Sequence, residues 1–160
     1  MNKVWRVALL AALVGSPAWA KTPSKKMTEA ELVEILKTDT NRSNKEKAAD
    51  YLGELRFNGA VPALREACNP REHQFVCEHA LHALEELRIP EAKWAVEQIL
   101  LDETMTQYLR KMAMRHLGRM DRQRMGVVAP VILAKYRSLE DEFAVPLLKA
   151  LVEGGNTAAA

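Results

Sequence analysis

Both cysteines and three of the four histidines fall in one window, Cys68-Asn-Pro-Arg-Glu-His73-Gln-Phe-Val-Cys77-Glu-His79-Ala-Leu-His82. Residues of these types can do two kinds of chemistry. In an oxidising compartment, an even cysteine count, nine residues apart across a turn, suggests a disulfide. Cys68 would end one helix and Cys77 open the next, which brings a Cα separation of about 5.5 Å within reach. Such a bridge would pin the first repeat of the chain to the second. The alternative is a zinc or copper site, because thiolate and imidazole suit both metals. Helix geometry counts against it, since 100° per residue sets Cys77 and His79 about 200° apart. His79 and His82 are spaced to share an ion or to stand as a solvated pair, and free buried thiols are the third reading. The expectation is a Cys68–Cys77 disulfide with no metal.

Five of the seven methionines lie between Met105 and Met125. In an exported protein, Met112-x-Met114-x-His116 invites a copper reading. Helix spacing instead puts Met105, Met112 and Met120 on one core stripe with Tyr108, Leu109 and Leu117, while Met114 points about 200° from Met112. Lys111, Arg115, Arg119 and Arg122 form one basic ridge, which either pairs with Glu78, Glu85 and Glu86 of the preceding repeat or docks an acidic partner. Trp94 falls at the edge of a short helix whose core stripe is Ala95, Val96, Ile99 and Leu100. It either packs between repeats or anchors a bound protein. The segment Phe143-Ala-Val-Pro-Leu147-Leu148-Lys-Ala-Leu151-Val152 leaves Phe143 and Val152 partly outside its stripe. These two are expected to make a homodimer or partner contact, unless the helix tucks into the groove before it. Enzyme templates fail: there is no G-x-S-x-G elbow, Gly-rich phosphate loop, H-E-x-x-H or C-x-x-C-H. No catalytic residue and no cofactor is expected.

The elements that position these residues repeat. Ala48-Ala-Asp-Tyr-Leu52-Gly-Glu-Leu55 aligns with Ala80-Leu-His-Ala-Leu84-Glu-Glu-Leu87 and with Ala113-Met-Arg-His-Leu117-Gly-Arg-Met120. The segments between repeat too, in the columns Leu32/Leu64/Val96 and Leu36/Cys68/Leu100. Apolar residues recur at i, i+4 and i+7, the stripe of an amphipathic helix. The spacing predicts eight helices, over 28–38, 42–56, 59–68, 72–87, 91–101, 104–120, 125–137 and 141–153, and no sheet. Pro62 and Pro130 suit helix starts, and Gly53 and Gly118 read as points of close helix packing.

The A-x-x-x-L-G-x-L helix followed by a short A-V-P-x-L helix resembles the HEAT-type repeat, most of all the short HEAT-like repeats first noted in phycobilisome lyases. Departures are Cys77, where many such repeats carry Arg, and extra residues around Arg122–Arg124 that lengthen the third turn. The resemblance covers residues 28–153 and implies an all-α solenoid of antiparallel helix pairs that binds proteins. Lyase activity is not implied, because no bilin-attachment site is readable.

Residues 1–20, MNKVWRVALLAALVGSPAWA, run from two cations through an apolar stretch to Ala18-Trp19-Ala20, the order of a cleaved secretory signal. Residues 21–27 then read as a flexible linker and 154–160 as a flexible tail. Of the 23 bases, Lys3 and Arg6 belong to the leader, which leaves as many bases as the 21 acids. A chain of zero net charge has no global attraction for nucleic acid or anionic lipid. The expectation is a periplasmic or secreted, non-catalytic scaffold that binds another protein. The second reading is an accessory or chaperone-like binder of a metal or cofactor-bearing protein through the Cys68–His82 window.

Overall fold

A computed structural model describes residues 22–135. The leader at 1–20, the helix expected at 141–153 with Phe143 and Val152, and the tail at 154–160 lie outside the described residues. Seven α-helices are described: α1 (Glu29–Thr38), α2 (Arg42–Glu54), α3 (Val61–Ala67), α4 (Gln74–Leu87), α5 (Pro90–Leu101), α6 (Gln107–Met120) and α7 (Arg122–Lys135). A single 3-10 turn, Asn58–Ala60, leads into α3. No strand occurs among the described residues.

Local chemistry sets the helix starts. Thr28 opens α1 with a capping box: its hydroxyl accepts from the Glu31 N–H at 3.3 Å, and Glu31 accepts from the Thr28 N–H at 3.0 Å. Asn41 caps α2 and Thr106 caps α6 through their side-chain oxygens. His73 does the same for α4, its Nδ1 accepting from the Phe75 N–H at 3.3 Å. Proline in the first turn starts α3 and α5, where the missing N–H costs nothing. Pro130 departs from expectation, because α7 starts at Arg122 and encloses it. The residues around Arg122–Arg124 therefore form a first helical turn rather than a longer loop.

The helices stack in two layers. The short helices α1, α3 and α5 pack in succession, as do the long helices α2, α4 and α6, and each short helix packs on the long one that follows. This neighbour-on-neighbour stacking is an α-solenoid. Its core follows the repeat: the columns Ala48/Ala80/Ala113, Leu52/Leu84/Leu117, Leu32/Leu64/Val96 and Leu36/Cys68/Leu100 are all buried. The column Leu55/Leu87/Met120 is not uniform. Leu87 is buried but Leu55, which caps the end of α2, is 36% exposed. Residues 22–27, read as a linker, lie against the first repeat, with Pro23 buried, Met27 on the core and Lys25 paired with Glu54 at 2.5 Å.

Candidate functional site

Trp94 stands in the second turn of α5 and is 58% exposed. Ala95, Val96, Ile99 and Leu100 fill the core as their stripe predicts, and this turns the indole outward. Parallel stacking of α3 and α5 leaves a groove between their starts, about 710 Å³ in volume. Val61, Pro62, Pro90, Ala95 and Trp94 supply its apolar lining, and Arg65 and Glu91 its charges. The Arg65 guanidinium lies 5.9 Å from the centre of the indole ring, a cation–π arrangement. An aromatic beside an Arg in an apolar groove is the composition that dominates protein-binding hot spots.

The members of the basic ridge differ in their surroundings. Arg119 Nη1 lies 3.1 Å from Glu85 Oε2, so it pairs with the preceding repeat. Arg115 is exposed, with Nη1 4.0 Å from Met112 Sδ. Arg122 belongs to α7 and does not extend the ridge along α6. Lys111 is half-buried on α6. Glu78 takes the Tyr108 hydroxyl at 2.7 Å, a bond that raises the phenol above its ordinary range.

Helix α6 faces its neighbours differently from the stripe read in the sequence. Tyr108 is exposed and Met112 only half-buried, whereas Arg110, Met114 and His116 are buried beside Leu109, Ala113 and Leu117. Arg110 Nε donates to the Leu100 carbonyl at 3.0 Å. His116 Nδ1 meets Glu85 Oε2 at 2.5 Å, and burial pushes its imidazole below the ordinary range against the pull of Glu85. Met105, Met114 and Met125 are buried in the core and Met112 and Met120 pack against it.

Cys68 and Cys77 form a disulfide with 4.4 Å between their Cα atoms, both residues buried. It joins the end of α3 to α4, two helices of the second repeat, and so does not tie the first repeat to the second as the sequence suggested. The bridge removes both thiolates from the metal reading. Among the described residues no three His, Cys, Asp or Glu side chains are grouped to hold an ion.

Several polar pairs between repeats escaped the sequence reading. Asp50 binds His79 at 2.7 Å, and Arg124 grips Glu97 through two contacts of 2.6 Å each. Asp50–His79, Glu78–Tyr108, Glu85–His116 and Glu97–Arg124 are separated by 29, 30, 31 and 27 residues, close to one repeat step. Searching for opposite polarity at that step would have found them.

A sequence model of the HEAT repeats family matches residues 29–118, more than half of the chain. The chain belongs to the HEAT-repeat family. The match runs from α1 into α6, and α7 lies beyond it. No curated protein and no solved structure matches this HEAT-repeat chain significantly. HEAT repeats generally mediate protein–protein interaction and are typically non-catalytic. Among the described residues no helix is long and apolar enough to cross a membrane.

Proposed function

We propose that this HEAT-repeat protein is an exported, non-catalytic scaffold that docks another protein in the groove between α3 and α5. The exposure of Trp94 carries the reading. Leaving most of an indole in water forgoes a large part of the burial energy of the largest side chain, and the repeats bury nearly every other large apolar group of α5. Large apolar groups left at a concave site mark binding surfaces. Export rests on the signal-like order of residues 1–20 and fits a disulfide in the second repeat.

The test compares partners captured from a periplasmic extract by the wild-type protein, Trp94→Ala and Arg115→Glu. The groove reading expects Trp94→Ala to lose the partner while keeping its helical circular dichroism, with Arg115→Glu unaffected. Unchanged capture by Trp94→Ala would overturn it. Loss confined to Arg115→Glu would move the interface to the basic ridge of α6. N-terminal sequencing of exported protein should begin at Lys21, and retention of the leader in the cytoplasm would overturn export.

A further inference from the structure

Ion pairs tie α3 and α5 each to the element on its outer side. Lys37 reaches Glu66 at 3.1 Å between α1 and α3. Between α5 and the start of α7, Lys93 reaches Asp121 at 3.2 Å and Arg124 reaches Glu97 at 2.6 Å. The joint between α3 and α5 is different. It too carries opposite charges, Arg65 on α3 and Glu91 on α5, yet among the described residues neither is in an ion pair. Arg65 lies over the Trp94 ring, and Asp102, which feels its charge, has its carboxylate bonded to Thr104. The two charges line the open groove together with its apolar residues.

Resting on the docking reading above, we infer that the occupant is a short segment of a partner protein with an apolar side chain flanked by one acidic and one basic residue. The apolar side chain covers Trp94 between Pro62 and Pro90. The carboxylate meets the planar fork of Arg65, which presents paired donors to it. The basic residue meets Glu91. A groove of about 710 Å³ takes a few side chains, the scale of a ligand pocket, and not the face of a folded domain. The occupant thus supplies both counter-charges at a joint that has no ion pair of its own among the described residues.

A phage-displayed library of random peptides, selected on the whole disulfide-bonded protein, tests this. Enriched peptides should pair an apolar residue with both an acid and a base, and Trp94→Ala should abolish the enrichment. Arg65→Glu should remove the acid preference alone, and Glu91→Lys the base preference alone, each by about tenfold in frequency, corresponding to about 1.4 kcal/mol. Charge preferences that survive both variants, with enrichment still dependent on Trp94, would overturn the charge pattern and leave the docking reading intact. Enrichment unchanged in Trp94→Ala, or none at all on the wild type, would overturn both. Circular dichroism of each variant confirms that it is folded before selection.

Discussion

Gly53 and Gly118 occupy the same column of the repeat, five residues after Ala48 and Ala113, yet the structure gives them opposite roles. A Cβ on Gly53 would lie 2.6 Å from the Ala83 Cα, 2.9 Å from its Cβ and 3.2 Å from its carbonyl oxygen. Two of these atoms are backbone of α4 and cannot swing aside, so Gly53→Ala must push α2 and α4 apart. Overpacking of this kind costs about 1–3 kcal/mol. Alanine returns about 1 kcal/mol of helix propensity. With rigid backbone as the obstacle the upper part of the range applies, for a net loss of about 1–2 kcal/mol. Gly118 meets nothing within 4 Å, and no glycine among the described residues has a positive φ. Gly118→Ala should therefore gain about 0.5–1 kcal/mol from propensity and reduced freedom of the unfolded chain. Urea denaturation of the disulfide-bonded protein reads both, provided the slopes stay equal to wild type. A Gly53→Ala protein as stable as wild type would refute the argument that backbone contact fixes the α2–α4 spacing. So would a Gly118→Ala protein less stable than wild type.

Burial holds the His116 pKa below its unfolded value, so the unfolded chain binds the proton more readily. Its stability contribution is full above about pH 6.5 and is lost as pH falls through the lower folded value. His116→Gln should flatten the fall in urea midpoint on acidification, and equal slopes for the two proteins would count against this. Reducing Cys68–Cys77 opens a loop of about ten residues and should cost about 2.5–3 kcal/mol, read as a lower midpoint with dithiothreitol. Two freely alkylated thiols in native exported protein would reject the bridge. Arg119→Glu sets a second carboxylate against Glu85 and should destabilise by about 1 kcal/mol, whereas Arg115→Glu should change stability by under about 0.5 kcal/mol. A larger loss from Arg115→Glu would show that the exposed end of the ridge is structural.

Much of the fold was legible because repetition reinforces a weak signal. One i, i+4, i+7 stripe is ambiguous, but Ala48, Ala80 and Ala113 in register with Leu52, Leu84 and Leu117 are not, and all six are buried. The helix facing of α6 was not legible. Ranking by hydrophobicity favours Tyr108 and Met112 over Arg110 and His116, yet the latter two are inside. Their burial depends on the Leu100 carbonyl and the Glu85 carboxylate, partners on other helices that no single-helix pattern contains. Gly53 is the close-packing point its type suggested, and Gly118 failed for a related reason. Residue type marks where a neighbour can approach, and only the packing of α4 on α2 shows whether one does. Trp94 was half legible: spacing set it at the stripe's edge, but the depth of the groove comes from where α3 and α5 place Pro62 and Pro90.

The groove lies across a joint, half on the second repeat and half on the third. In a chain of nearest neighbours, each interface contributes its own share of cooperativity. An occupant gripping Pro62 and Arg65 on one side and Pro90, Glu91 and Trp94 on the other acts as a staple between two repeats. Binding should then be felt as slowed hydrogen exchange in α5 and α6, on the far side of the joint from the disulfide-bonded repeat.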